Sequence, residues 1–146
     1  MRLVVQRVSE ARVTIGGAVR GQIGPGLLVL AGIAPTDTPA DAARLARKLV
    51  ALRILADDEG RMNRAVLDTG GGVLLISQFT LLADTRKGNR PSYLGAAPGE
   101  VAIPLYEQLI REVEAALGRP IQTGEFGADM QVSLVNDGPV TLILES

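Results

Sequence analysis

Ser77-Gln78-Phe79-Thr80-Leu81 places two hydroxyls, a carboxamide and an aromatic ring at the end of the apolar run Val73 to Ile76. Such groups can orient a substrate or polarise a carbonyl, and the end of a strand is a usual place for them to meet one. Strand alternation puts Ser77 and Phe79 on one face and Gln78 and Thr80 on the other, unless the strand breaks there. On spacing alone, a buried strand that merely ends in polar residues fits equally well. A second segment, Asn136-Asp137-Gly138-Pro139-Val140-Thr141, is a turn by composition. Its Gly-Pro bond is not read as cis on that ground, because cis is a small minority among X-Pro bonds.

The chain has no cysteine and no histidine. Disulfides, cysteine nucleophiles, Ser-His-Asp triads and metal or haem sites built from thiolate or imidazole are therefore excluded. Any hydrolysis must take its proton acceptor from a carboxylate, Lys, Tyr, the backbone, water or the substrate itself. Other motifs fail on spacing. Gly16 to Gly21 is not a dinucleotide fingerprint, no Gly-Lys-Ser/Thr closes a phosphate loop, and Ser77 lacks the glycines of a nucleophile elbow. Asp57-Asp58-Glu59 has the residue types of a metal trio, but before Gly60, between two apolar segments, it reads as a solvated turn. No metal and no cofactor are expected.

These groups need a frame to hold them. At 146 residues and 47% hydrophobic, the chain can bury the core of one domain, residues 1–146. With aromatics at 3%, that core must be aliphatic, and a nucleic-acid site built on rows of stacking rings is not expected. The net charge of −1 gives no bulk attraction to a polyanion, yet residues 1–90 hold 13 Lys/Arg against 8 Asp/Glu and residues 91–146 hold 2 against 8. That permits a local basic face, although folding can also scatter the charge evenly. Absence of cysteine fits a reducing compartment, and Met1 to Val8 has no apolar stretch of signal-peptide length. The longest apolar run, Gly26 to Ala34, is far below the roughly 20 residues of a membrane span, so a cytoplasmic location with no membrane partner is expected.

Arg2 to Val8 reads as a first strand, and Ala11 to Ile15 and Ala18 to Ile23 as a hairpin about Gly16-Gly17. Gly26 to Ile33 is almost continuously apolar and predicts a strand buried on both faces. A helix follows, with Thr38 as its cap, Pro39 in its first position, Asp41 completing a capping box, and Ala42, Leu45, Ala46 and Leu49 as its apolar stripe. Leu52 to Ala56 and Val73 to Gln78 read as further strands. A second helix carries Leu105, Leu109, Val113 and Leu117 on one face and stops at Gly118; Pro104 either begins it or kinks an earlier turn. Asp129 to Val135, where Met130, Val132 and Leu134 alternate with polar residues, and Val140 to Leu144 complete the chain as two strands joined by the Asn136 to Pro139 turn. The sum is an α+β fold on a largely antiparallel sheet.

Taken in order along the chain, these segments resemble the D-aminoacyl-tRNA deacylase family, also called D-tyrosyl-tRNA deacylases. Val4-Val5-Gln6-Arg7-Val8 is similar to the family's opening strand, and Leu52-Arg53-Ile54 with Gly60-Arg61-Met62-Asn63 to its middle segment. Ser77 to Leu81 resembles its active-site strand, Gly88-Asn89-Arg90-Pro91-Ser92-Tyr93 its basic loop, and Gly124 to Met130 running into Asn136 to Thr141 its Gly-cis-Pro motif. Tyr93 stands where Phe is usual, and Pro104 interrupts the second helix.

The resemblance implies a barrel-like, largely antiparallel or mixed sheet with two main helices, and a homodimer in which one subunit's Gly-Pro turn enters the other's site. It implies hydrolysis of the ester joining a D-amino acid, or glycine mischarged on the alanine tRNA, to the 3′-terminal ribose of tRNA, a proofreading reaction. Gly138 and Pro139 would be the chiral selector, a backbone carbonyl excluding the side chain of an L-residue, with Arg7 and Asn136 supporting the turn. Backbone N–H groups near Gln78 and Phe79 would hold the oxyanion, where one donor contributes about 2.7–4 kcal/mol. Ser77 and Gln78 complete the catalytic segment. Thr80, with no base beside it, is expected to position rather than attack, water being assisted by the ribose 2′-hydroxyl. Phe79 would pack on the terminal adenine, and Arg86, Lys87 and Arg90 would meet the tRNA backbone. The missing conventional base leaves a non-catalytic dimeric RNA-binding module of the same fold as the alternative.

Overall fold

A computed structural model describes residues 1–146. In chain order the elements are β1 (Arg2–Ile15), β2 (Ala18–Ile23), β3 (Gly26–Gly32), α1 (Pro39–Val50), β4 (Leu55–Ala56), β5 (Met62–Arg64), α2 (Val66–Thr69), β6 (Gly72–Ser77), a 3-10 turn (Phe79–Leu82), α3 (Gly99–Leu117), β7 (Gln122–Thr123) and β8 (Gln131–Glu145).

The first strand and the first arm of the expected hairpin are one continuous strand, β1. Its first half pairs antiparallel with β3 and its second half with β2, while β8 runs antiparallel along its other edge, from Arg2 opposite Glu145 to Thr14 opposite Gln131. β6 adds to β3, and β7 to β6, in parallel. The sheet is therefore mixed, antiparallel in its three pairings with β1 and parallel from β3 to β7, because the long connection through α1 carries the chain back before β6 begins. Gly21 of β2 comes so close to β7 that a Cβ there would lie 2.9 Å from the carbonyl oxygen of Thr123. The two ends of the sheet thus curl towards each other into a nearly closed barrel.

An aliphatic chain fills both sides of this sheet. Leu3, Val5, Leu27, Val29, Val73 and Leu75 face α1 and α3, while Val8, Val13, Leu28, Leu74 and Ile76 face the barrel interior with Met130, Val132 and Leu134. The run Gly26 to Ile33 is buried on both faces, as its composition requires. α1 begins with the expected capping box: the Asp41 N–H donates to Thr38 Oγ1 at 3.4 Å and the Thr38 N–H to Asp41 Oδ2 at 2.9 Å. α3 starts at Gly99, so Pro104 lies inside it, neither starting it nor standing before it. The proline removes the bond to the Glu100 carbonyl. Ala102, Leu105, Tyr106, Leu109, Val113 and Leu117 nevertheless bury one continuous face and carry the helix through.

Other boundaries move for local reasons. Leu52 to Ala56 shrinks to the two-residue β4, and α2 is a single turn, too short for periodicity to announce. In the Asp57 to Glu59 turn, Asp57 accepts the N–H groups of Glu59 and Arg61, both at 2.9 Å, while Asp58 and Glu59 pair with Arg64 and Arg61. The Arg61 backbone bond holds the Asp57 carboxyl below its ordinary value. These bonds make it the solvated turn that its composition suggests. No helix is long and apolar enough to cross a membrane.

Candidate active site

The strand does break at the chemically interesting segment. β6 ends at Ser77, Gln78 has φ −147° and ψ 79°, and Phe79–Leu82 wind into the 3-10 turn. Alternation therefore does not govern residues 78–80. Gln78 is fixed by its own N–H, which donates to the carbonyl of Ala31 on β3 at 2.7 Å. That bond removes Gln78 from the oxyanion donors named from sequence. Phe79 and Thr80 occupy the first two positions of the turn, where N–H groups find no partner within it. Leu81 N–H closes the turn on the Gln78 carbonyl at 3.2 Å.

The turn borders a cleft of about 290 Å³ lined by Ser77, Gln78 and Phe79 on one side and by Phe126, Gly127, Ala128 and Met130 on the other, with Ala102 of α3 and Ala97, just before that helix, also lining it. The walls are apolar and the polar groups few, the usual make-up of a small-molecule site. Asp129, exposed, is the only ionisable side chain among the lining residues. Thr80 is not among them; its hydroxyl accepts a hydrogen bond from the side-chain amide of Gln78. Phe79 is 55% exposed and meets Tyr93 edge to face, their ring centroids 5.1 Å apart.

Gly138 and Pro139 lie elsewhere on the chain's surface. They do not close a hairpin between two strands, as their composition suggested. Both flanks belong to β8 and pair with β1: Asn136 opposes Val8, Thr141 opposes Gln6, and Asp137 to Val140 leave the ladder opposite Arg7 alone. The segment is thus a wide bulge, and bulges commonly re-aim a strand at a functional position. Its Gly138-Pro139 bond is cis. Gly138 has φ +124°, and a Cβ there would lie 2.9 Å from Arg7 Nη2 and 2.9 Å from Val140 Cγ2. Only glycine fits without displacement.

Arg7 and Asn136 brace this bulge from both sides. Arg7 Nε donates to the Asp137 carbonyl at 3.0 Å and meets the Asp137 carboxylate at 3.2 Å, while Nη1 donates to the Ile54 carbonyl at 2.8 Å. Asn136 Nδ2 donates to the carbonyls of Arg7 and Val140, each at 3.0 Å, tying the two ends of the bulge together. Gln6 and Thr141, not singled out from sequence, both donate to Asn136 Oδ1, at 3.4 and 3.3 Å. Within one chain, then, the bulge and the cleft are separately built: neither Gly138 nor Pro139 lines the cleft.

The basic loop is anchored by paired backbone bonds between Asp84 and Ser92, at 2.8 and 2.9 Å. Arg86 pairs with Asp84 at 2.6 Å, holding that carboxyl below its ordinary value. Lys87 and Arg90 remain exposed.

Tyr106 supports the site from beneath. Its buried hydroxyl donates to the Leu75 carbonyl at 2.9 Å, two residues before Ser77, and its ring packs on Phe126 with centroids 5.8 Å apart. Burial pushes the phenol up to about 12, with the Ser77 backbone pulling the other way. The folded state holds the phenol neutral above the ordinary value of 10, so its contribution to stability is full below pH 10 and is lost as pH rises towards 12. Wild-type protein should therefore lose urea resistance more steeply between pH 10 and 12 than Tyr106→Phe, which has nothing to ionise there; parallel profiles would show that this phenol is not linked to folding.

Comparison with known proteins places the chain. The model of the family described as D-Tyr-tRNA(Tyr) deacylase matches residues 4–145. Proteins named D-aminoacyl-tRNA deacylase from Chlorobaculum parvum and Opitutus terrae are each 60% identical over 146 residues, covering 100% of this chain and 98% and 97% of theirs. A solved structure of the c-Myc DNA unwinding element binding protein aligns with a TM-score of 0.95 at 42% identity, over 100% of this chain and 99% of that one. Another, described as a probable eukaryotic D-amino acid tRNA deacylase, aligns with a TM-score of 0.84 at 15% identity over 98% and 97%, which shows a shared fold.

Proposed function

Because this chain belongs to the D-Tyr-tRNA(Tyr) deacylase family and is a hydrolase, we propose that it cleaves the ester of D-aminoacyl-tRNA, and of glycyl-tRNA mischarged on the alanine tRNA, while sparing L-esters. The observation that carries this reading is the cleft beside the 3-10 turn: two leading N–H groups, apolar walls and no buried ionisable base. Such a site supplies an oxyanion hole and little else. That suffices for an ester already activated by its ribose.

In this mechanism the ester carbonyl lies against the Phe79 and Thr80 N–H groups, which strengthen their hold as charge develops on oxygen. Water attacks, and the ribose 2′-hydroxyl takes part in the proton transfer that a histidine would serve elsewhere. Ser77 and Gln78 set the turn's entry, and Thr80 positions through its bond from Gln78. Phe79 packs on the terminal adenine, with Tyr93 as its edge-on support. Lys87 and Arg90 meet the tRNA backbone; Arg86, engaged by Asp84, contributes less.

Rejection of L-substrates rests on Gly138 and Pro139 acting across a homodimer. β8 pairs only with β1 and leaves Val135, Leu142 and Ile143 exposed, Ile143 to 63%, an open strand edge with apolar side chains that a second copy would cover. A partner's bulge entering the cleft would place a backbone carbonyl where an L-side chain must go, excluding the wrong enantiomer sterically. The 146 residues act as one domain, in the cytoplasm, as a proofreader of aminoacylation.

Purified protein should release D-amino acid from charged tRNA with multiple turnovers in EDTA and leave the L-ester intact. Equal cleavage of both enantiomers, inactivation by EDTA, or stoichiometric binding without release would each overturn the proposal.

A further inference from the structure

The 3-10 turn that carries the oxyanion donors buries none of its residues, so apolar packing alone does not hold it. Its entry is fixed by the Gln78 N–H on Ala31, and its Leu81 carbonyl by one side chain from the neighbouring β1. Arg2 Nη1 donates to the Leu81 carbonyl at 2.7 Å, and its Nε is held by Glu145 at 2.6 Å. Arg2 has Gly32 opposite it on β3 and Glu145 opposite it on β8. The glycine matters as much as the arginine. A Cβ on Gly32 would fall 2.3 Å from Leu82 Cδ2, 3.0 Å from the Gln78 carbonyl and 3.1 Å from Leu81 Cβ. The turn therefore sits on a bare stretch of β3 and is tied down by the residue next to it.

We propose that Arg2 is a positioning residue of the deacylase reaction: by holding the Leu81 carbonyl, it fixes the direction of the Phe79 and Thr80 N–H groups without touching substrate. This rests on the deacylase reading above. A guanidinium suits the task because its planar fork serves Leu81 and Glu145 at once, and Glu145 fixes its approach. The last carbonyls of a helical turn lack partners within it, so a fixed donor there removes the turn's freedom to fray.

The test uses the full chain with Arg2→Gln, Arg2→Lys and Glu145→Gln. Arg2→Gln should lower kcat on D-aminoacyl-tRNA about tenfold, because small misplacements of a donor set are costly, with KM within about twofold of wild type. Arg2→Lys, which keeps a cationic donor, should recover part of that loss, and Glu145→Gln should fall between wild type and Arg2→Gln. Hydrogen exchange supplies an arm independent of turnover: the Leu81 and Ala83 amides, which close the turn on the Gln78 and Thr80 carbonyls, should exchange faster in Arg2→Gln while those of β6 stay protected. Unchanged kcat in Arg2→Gln, a rise confined to KM, no recovery with lysine, or exchange that rises equally in β6 would each overturn the assignment. Wild-type protein that does not turn over D-aminoacyl-tRNA would sink the deacylase reading instead, and the exchange arm would still decide the role of Arg2.

Discussion

D-aminoacyl-tRNA ending in 2′-deoxyadenosine should be hydrolysed at least about a hundredfold more slowly than the ribose substrate, the scale of a lost general acid–base contribution. The chain has no histidine, and the one ionisable side chain lining the cleft is the exposed Asp129. Thr80, the hydroxyl of the turn, does not line the cleft and is engaged by Gln78, with no base beside it. A neutral hydroxyl without a base is a poor nucleophile. Thr80→Ala should accordingly keep activity within about tenfold of wild type, because its role is to steady the turn. Single-turnover rates on the two tRNAs and the two proteins decide the matter. A Thr80→Ala enzyme that is dead, beside a deoxy substrate cleaved normally, would make Thr80 the nucleophile.

Gly138→Ala should reduce discrimination between D- and L-aminoacyl-tRNA by about tenfold or more, since selection by exclusion depends on where a backbone carbonyl stands. The new methyl would enter contacts of 2.9 Å with Arg7 Nη2 and Val140 Cγ2 at a φ of +124°, where an L-residue is strained. Arg7 or the bulge must move. The strain should cost about 1–3 kcal/mol of stability, and the cleft of the same chain, built on β3, β6 and α3, is untouched by it. Two measurements separate these effects: the ratio of kcat/KM for the two enantiomers, and the urea midpoint. A wild-type ratio in a mildly destabilised protein would remove Gly138 from the selector role.

Much of this architecture is written in local patterns. Thr38, Pro39 and Asp41 announce the start of α1, the run Gly26 to Ile33 announces a doubly buried strand, and the stripe Leu105 to Leu117 announces the core face of α3. What escapes is long-range. The parallel placement of β6 on β3 depends on a crossover, and the reading of Asn136 to Pro139 as a bulge depends on both flanks meeting the same partner, β1, which no turn composition encodes. The segment Ser77 to Leu81 was legible as chemically rich, but its conformation was not. The break at Gln78 follows from the bond to Ala31, from the bare surface of Gly32 and from Arg2, residues 46 or more positions away. Cleft walls such as Phe126 and Met130 look like ordinary apolar residues until the barrel brings them opposite the turn.

β1 has one further consequence, in time rather than space. It is made before its partner β8, which carries the Gly138 bulge and the Glu145 clamp, with all the other elements described lying between the two. Pairings between such distant segments form slowly and only after the intervening chain exists. Until the ribosome has released β8, Arg7 has no bulge to brace and Arg2 no carboxylate to hold it. Both braces of the site, the one on the bulge and the one on the turn, are therefore completed in a single late step, when β8 closes on β1.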